Sequence, residues 1–132
     1  VAPDGAGGEA VSDSYKNMIN DLASVIHGHN EKWWVDLETG EPLKRNVGEM
    51  LMLCVSELSE AMEGHRKDLM DDHLFHRSMI EVELADCMIR ILDIGAGLGL
   101  DLGGALAEKL AYNQQRADHK PENRRKPGGK KY

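Results

Sequence analysis

The sequence predicts an all-α protein whose protomer is a four-helix-type bundle. Aromatic residues make up only 5% of the chain and hydrophobic residues 41%, so the core must consist mainly of aliphatic side chains, which favour helix over sheet. Apolar residues also recur at helical spacing in several separate segments. A length of 132 residues suits one domain. We place it at residues 13–117, between a flexible lead of residues 1–12 and a basic tail of residues 118–132.

The first helix should follow the glycine-rich lead, which has little apolar pattern. Ser12 or Asp13 is positioned to cap this helix, which we expect to end near His29. Its apolar face would contain Met18, Leu22, Val25 and Ile26. Residues 30–42 then form a predicted loop, because they contain a glycine and a proline after two adjacent tryptophans.

The second helix should run from about Lys44 to Lys67 and the third from about Leu74 to Leu98, with a turn over residues 68–72. Within an arc of roughly 120°, the second helix carries Val47, Met50, Leu51, Cys54, Leu58, Ala61 and Met62. The third is apolar nearly all round, with Ile80, Leu84, Cys87, Met88, Ile91 and Leu92 on one side and Val82, Ala85 and Ile89 on the other. One chain has little material to cover both faces, so we expect a homo-oligomer with this helix near a subunit interface.

Three glycines end the third helix: Gly95, Gly97 and Gly99. Asp101 then caps a fourth helix that runs to about Ala117, although Gly103 and Gly104 weaken its first turn. The tail that follows contains two prolines and is predicted to form no helix.

The charge is unevenly distributed along the chain. The net charge is -7, but from Asp118 onward six bases outnumber two acids, so the tail is about +4 and the rest about -11. An acidic body argues against stable nucleic-acid binding, and the tail either serves an anionic ligand or keeps the end solvated. We find no stretch of transmembrane length and no signal peptide, which predicts a cytoplasmic location and no membrane partner.

The cysteines and histidines give weak signals. Cys54 and Cys87 both fall within apolar helical patterns, so we expect buried small hydrophobic residues rather than a disulfide or a metal pair. The six histidines are scattered over loops and helix ends and are expected at the surface rather than as ligands.

Two acidic motifs on the second and third helices carry the strongest signal: Glu57-Leu-Ser-Glu60 and Glu83-Leu-Ala-Asp86. Each pair shares one helix face, with a rise of about 4.5 Å between its members. If the helices pack side by side, the four carboxylates converge and repel one another by about 1 kcal/mol per close pair in water, which a cation would relieve. The alternative is that they are ordinary surface acids.

The ligand chemistry favours a hard cation. Neither motif has the histidine of the Glu-x-x-His pattern found in ferritin-like di-iron bundles. Ligand sets made only of carboxylates suit Mg²⁺ or Mn²⁺, and protein-bound Mg²⁺ commonly also binds substrate phosphates, which points to phosphate chemistry. Glu81 lies inside the apolar face of the third helix, where it is either a ligand or a contact with an interface partner.

The motifs Ser56-Glu57-Leu-Ser-Glu60-Ala61 and Glu83-Leu-Ala-Asp86 resemble the signature of the all-α nucleoside triphosphate pyrophosphohydrolases, in particular the MazG-like branch. Lys109-Leu-Ala-Tyr-Asn113-Gln-Gln-Arg116 is similar to a segment that follows in that family, and the resemblance covers about residues 45–117. Many relatives carry a second glutamate where Ser56 stands, which leaves the number of metal ions open.

The resemblance implies Mg²⁺-dependent hydrolysis of nucleoside or deoxynucleoside triphosphates to monophosphate and pyrophosphate, by attack of a metal-activated water on the α-phosphorus, in dimers or tetramers. Mn²⁺ is a possible substitute for Mg²⁺. By position, the metal ligands and catalytic acids are Glu57, Glu60, Glu83 and Asp86. The residues that meet phosphate or sugar are Lys109, Asn113 and Arg116.

The spacing of the last three residues places a row of donors on one helix face, with a solvated basic stripe as the alternative. Either Trp33 or Trp34 would stack on the base, which is worth about 1–3 kcal/mol, or plug the bundle. Two other functions stay open: a non-catalytic helical oligomer that binds a partner, with structural acids, and a phosphoribosyl-ATP- or dUTP-directed member of the same superfamily.

Overall fold

The computed structural model describes the backbone of residues 5–132 and the side chains from residue 13 onward. Over this range the regular secondary structure is helical and no β-strand forms, which confirms the predicted all-α class. Residues 1–4 of the predicted flexible lead lie outside the described residues. The α-helices are α1 (Gly5–Asn30), α2 (Val47–Arg66), α3 (Met79–Gly97), α4 (Leu102–Gln115) and α5 (Pro121–Arg124).

Several predicted helix ends differ from the observed ones. α1 begins at Gly5, ahead of the predicted cap at Ser12 or Asp13. α3 begins only at Met79, because Ser78 and Glu81 form a reciprocal capping box that fixes the start of the helix. The side chain of Glu81 therefore caps α3.

The tail contains a short helix, contrary to the prediction. Pro121 occupies the first turn of α5, where its missing N–H costs nothing and its fixed φ angle favours the helix. The tail's second proline, Pro127, follows the end of α5 and therefore does not interrupt the helix.

The chain divides into two compact units. Among the described residues, the first comprises the chain up to Asn20 together with Asp101–Tyr132. Here Asp101 caps α4 as predicted, since its Oδ1 accepts a hydrogen bond of 2.9 Å from the Gly104 N–H. The Gly103 N–H donates to Asn20 Oδ1 at 2.8 Å, and a Cβ at Gly103 would collide with the backbone oxygen of Lys16. Gly103 weakens the first turn of α4, but its missing side chain permits the close approach of the Lys16 backbone.

The second unit, Asp21–Leu100, is built on the antiparallel pair of α2 and α3, in which Cys54 faces Cys87 and Gly64 faces Met79. Both cysteines are free and buried, as predicted. They form a small core with Met50 and Ile94.

Trp34 closes this core from the loop between α1 and α2. Its indole Nε1 donates to both carboxylate oxygens of Asp93 at 3.1 Å, and its ring leaves no room for a Cβ at Gly97. His27 Nδ1 lies 2.8 Å from Asp93 Oδ1, and its ring meets that of Trp34 edge to face. The structure therefore favours packing as the role of Trp34.

The prediction of surface histidines holds for His29, His65, His73 and His76, which are exposed. The other two, His27 and His119, are half-buried. His27 is drawn inward by Asp93, a partner on α3 that no local pattern in the sequence identifies.

Large apolar side chains on α2 and α3 stay uncovered in the single chain. On α3, Leu84, Met88 and Ile91 are between 43% and 57% exposed, and on α2 Leu51, Leu58 and Met62 are between 48% and 57% exposed. Exposed apolar side chains that gather into a large patch commonly mark an interaction site. Among the described residues, none of the helices has the length and apolarity needed to cross a lipid bilayer.

Candidate functional site

The pairing of α2 with α3 brings together three of the four predicted acids. One carboxylate oxygen each from Glu57, Glu60 and Glu83 lies within 4.8 Å of the other two. Glu57 and Glu60 share a face of α2 because they are three residues apart, and Glu83 reaches the same point from α3. The oxygens are close enough for a single cation to contact all three after small side-chain adjustments.

Glu57 is the buried member of this group, with 8% of its surface exposed. Arg90 on α3 donates through Nε to Glu57 Oε1 at 2.7 Å. Burial by itself raises the pKa of Glu57, but the hydrogen bonds from Arg90 and from protonated Glu83, with the Arg90 charge, outweigh it and hold the pKa below its ordinary value. Glu57 therefore stays ionised at neutral pH.

The pKa of Glu83 is shifted in the opposite direction from that of Glu57. Burial, together with the proton it can share with Glu57 and Glu60 and the charges of both, raises its pKa to about 8. Its Oε2 is buried and has no hydrogen-bond partner. An orphaned oxygen among acidic neighbours is the feature expected where a cation takes the place of a proton, and the oxygen-only donor set fits Mg²⁺ or Mn²⁺.

Asp86 lies beside this group, one helical turn after Glu83, and is half-buried. Burial raises its pKa, as do the charges of Glu57 and Asp71, while Arg90 opposes them. Its oxygens fall outside the 4.8 Å group. The structure therefore places the fourth predicted acid in the same cleft but not in the same tight cluster.

Two clefts meet at these acids. The acidic cleft, with a volume of about 690 Å³, is lined by six carboxylates, namely Glu57, Glu60, Asp71, Asp72, Glu83 and Asp86, together with His73 and several apolar residues. The mixed cleft, about 630 Å³, is lined by Asn30, Trp33, Leu43, Arg45, Leu53, Glu57, Asp86, Ile89, Arg90 and Asp93. Glu57 and Asp86 line both clefts and form their common wall.

Asp71 in the acidic cleft was not recognised from the sequence. It is 5% exposed, and its Oδ2 accepts hydrogen bonds from the backbone N–H groups of His73 at 2.9 Å and Leu74 at 2.6 Å. The bond from Leu74 is the largest cause of the lowered pKa of Asp71. The only available signal was its place in a run of acids, which is typical of a turn; the turn is what folds this carboxylate towards the cleft.

The two tryptophans have different surroundings. Trp33 is 61% exposed and lines the mixed cleft, whereas Trp34 is held in the core by Asp93. Arg45 connects the two, because its Nη1 donates to the Trp33 carbonyl at 2.8 Å and its guanidinium lies 5.2 Å from the Trp34 ring centre. Only Trp33 has an indole face available to a ligand in this cleft.

The predicted donor row falls in the first unit, while the acids belong to the second. Lys109 is exposed and lies 4.8 Å from the ring centre of Tyr112, and Asn113 has a buried Oδ1 without a hydrogen-bond partner. α4 ends at Gln115, short of the predicted end near Ala117, and Arg116 is its C-cap with an extended ψ of 128°. The shared helix face of the three donors stays a prediction.

The Arg116 side chain is also engaged within the tail. Its Nε and Nη2 donate to the Asp118 carboxylate at 3.0 Å and 2.7 Å. This two-bond pair occupies the fork that a phosphate would use.

Comparisons of the chain with models of protein families, with curated proteins and with solved structures found no match. The functional interpretation therefore depends on the arrangement of the chain's own residues and on the motif resemblance described above.

Proposed function

We propose that the protein hydrolyses nucleoside or deoxynucleoside triphosphates to the monophosphate and pyrophosphate in a Mg²⁺-dependent reaction. The observation that carries this proposal is the convergence of Glu57, Glu60 and Glu83 from two helices, with one buried oxygen left without a partner. Apolar packing alone does not explain such a group, because burying uncompensated carboxylates is costly.

Glu57, Glu60, Glu83 and Asp86 would hold the cation. Mg²⁺, with Mn²⁺ as a substitute, would neutralise phosphate charge and lower the pKa of the attacking water. Arg90 keeps Glu57 ionised through a hydrogen bond to Oε1, which leaves Oε2 of Glu57 available to the cation. The carboxylate of Asp86, in the wall between the clefts, would orient a water near the α-phosphate.

The mixed cleft supplies a place for the nucleoside. Trp33 offers a flat apolar surface on which a base can stack, and Asn30 and Arg45 offer hydrogen-bonding groups at its rim. With the base in this cleft, the polyphosphate crosses the common wall towards the acidic cleft. Trp34 is not part of this proposal, because Asp93 and Gly97 hold it in the core.

The active form is proposed to be a homo-oligomer, a dimer or a tetramer. Self-association would bury the apolar side chains that a single chain exposes, such as Met88 at 57% and Leu58 at 48%.

Lys109 and Asn113 stay as candidates for phosphate or sugar contacts, and Arg116 would have to exchange Asp118 for the ligand.

The direct test is pyrophosphate release from a panel of ribo- and deoxyribonucleotides, with the products resolved by ion chromatography. We expect Mg²⁺-dependent release by the wild type, and loss of release with unchanged circular dichroism in Glu60→Gln and Asp86→Asn. Glu49→Gln, an exposed acid on the same helix as Glu60, is the matched control. Normal release by both site variants would overturn the assignment.

Calorimetry separates this enzyme from a non-catalytic binding module. The enzyme should bind Mg²⁺ together with a non-hydrolysable nucleotide, whereas a module with purely structural acids should bind neither. Inclusion of phosphoribosyl-ATP and dUTP in the product assay distinguishes the related activities.

A further inference from the structure

The tail contains a pocket lined almost entirely by cations. Its volume is about 440 Å³, and its lining consists of Pro121, Arg124, Arg125, Lys130 and Lys131. No carboxylate of the described residues 13–132 contributes to this lining. We call it the basic pocket.

Specific hydrogen bonds assemble this pocket. Arg124 on α5 donates through Nε to the carbonyl of Lys130 at 3.1 Å and through Nη2 to that of Lys131 at 2.6 Å. The chain returns through Gly128, whose φ of 77° favours glycine, and through Gly129, where a Cβ would collide with the Arg124 carbonyl. Residues distant along the tail are therefore brought together by defined backbone geometry.

The assembled cations are poorly compensated. Lys130 Nζ lies 3.9 Å from Asp118, but both side chains are about half exposed, at 48% and 45%, so this pair is weak. Arg124, Arg125 and Lys131 have no acid within ion-pair distance among the described residues. Gathered like charges repel one another, and an anion in the pocket would remove that repulsion.

The donor set identifies the class of anion. Arg125 presents a planar fork that matches phosphate oxygens, and the lysines add mobile point charges. Arg124 contributes its positive charge, because its Nε and Nη2 are held by two carbonyls. The lining contains no aromatic ring on which a base could stack, and the volume suits a few phosphate groups. We propose that the basic pocket binds the phosphate chain of a small polyphosphate, such as pyrophosphate or triphosphate, without recognising a base.

The test uses the full-length chain in EDTA, so that the acidic cleft holds no cation and the result is independent of the enzymatic proposal. Inorganic tripolyphosphate is titrated by calorimetry, and amide shifts of Gly128 and Gly129 are followed by NMR. We expect saturable binding that weakens with added salt. A protein that fails to release pyrophosphate from nucleotides can still bind tripolyphosphate in the basic pocket. Likewise, a protein that does not bind tripolyphosphate there can still release pyrophosphate.

Three variants distinguish a built site from net charge. Lys130→Gln/Lys131→Gln should weaken binding at least tenfold, while the charge-matched control Lys44→Gln/Arg66→Gln should change it less than twofold. Arg124→Lys keeps the charge but cannot form both carbonyl bonds, so it should also weaken binding about fivefold or more.

The proposal is overturned by absence of tripolyphosphate binding, by equal weakening in the control, or by an unaffected Arg124→Lys variant. It is also overturned if a ten-nucleotide single strand binds much more tightly than tripolyphosphate, because the tail would then be a nucleic-acid surface.

Discussion

Arg90 Nε lies 2.7 Å from Oε1 of Glu57, and this bond joins α3 to the most buried carboxylate of α2. It has two consequences. It compensates a charge that would otherwise be costly to bury, and it fixes the orientation of one proposed ligand. Partners of this kind, which orient a metal-binding group from behind, commonly affect metal affinity as strongly as the ligands do.

Arg90→Gln should destabilise the fold and weaken cation binding together. Because the Arg90 side chain is 40% exposed, we expect a modest loss of about 1–2 kcal/mol in the free energy of unfolding, and Mg²⁺ binding weaker by about tenfold. Urea unfolding and calorimetry measure the two effects. Arg66→Gln serves as the exposed control, and a variant equal to wild type in both measurements would show that the bond has no such role.

Glu83 should make the metal-free protein less stable as pH rises. Its pKa is about 8 in the folded state and near its ordinary value when unfolded, so between about pH 5.5 and 8 the folded state holds one more proton. Unfolding releases that proton, and stability therefore falls with increasing pH in this window.

Glu83→Gln removes this titration, so the difference in stability between wild type and variant should change across the window and become constant above about pH 9. Denaturant unfolding in EDTA at several pH values measures it. Groups remote from the acidic cluster titrate alike in both proteins, so their effects cancel in the difference, and the remaining pH dependence comes from Glu83 and the two glutamates that interact with it. A difference that is independent of pH would contradict the raised pKa.

Added Mg²⁺ or Mn²⁺ should stabilise the wild type by binding the folded state. At a concentration of about 100 times Kd the gain is about 2.7 kcal/mol, visible as a higher Tm. Glu60→Gln should lose most of the gain, while Glu49→Gln should keep it. An equal rise in Tm for all three proteins would indicate non-specific ion effects.

Replacement of the two tryptophans should separate ligand binding from packing. Trp34→Ala removes a ring that closes the core and should cost about 2–4 kcal/mol of stability. Trp33→Ala, at an exposed position, should cost less than about 1 kcal/mol but raise KM for nucleotide. Unfolding curves and steady-state kinetics test both; an unchanged KM in Trp33→Ala would exclude base stacking on this ring.

Disruption of the exposed apolar face should produce monomers. Met88→Lys places a charge on the uncovered side of α3, whereas Leu37→Lys changes a loop residue that is 80% exposed. Light scattering coupled to size-exclusion chromatography should show an oligomer for the wild type and the loop control, and a smaller species for Met88→Lys. A monomeric wild type would remove self-association from the proposal.

The sequence predicted those features that depend on local periodicity. The pairing of Glu57 with Glu60 and the burial of Cys54 and Cys87 follow from helical spacing, and the structure has all of them in place. The predicted start of α3 near Leu74 is too early, because the capping box of Ser78 and Glu81 begins the helix at Met79.

Contacts between distant residues could not be predicted in this way. Asp93 accepts bonds from Trp34, which is 59 positions away, and from His27, which is 66 positions away. Asp71 enters the acidic cleft only through the geometry of its turn. Nothing in the spacing of these residues indicates the contacts, because they depend on how the loops return to the helix pair.

The common wall formed by Glu57 and Asp86 limits how the two clefts can diversify. A substitution at either position reshapes both cavities at once, so neither cavity can be altered there independently of the other. Independent variation is confined to side chains that border a single cavity, such as Leu43, Leu53 and Ile89 on one side and Met70, Met79 and Val82 on the other. Engineering of altered ligand preference should therefore begin at these apolar positions.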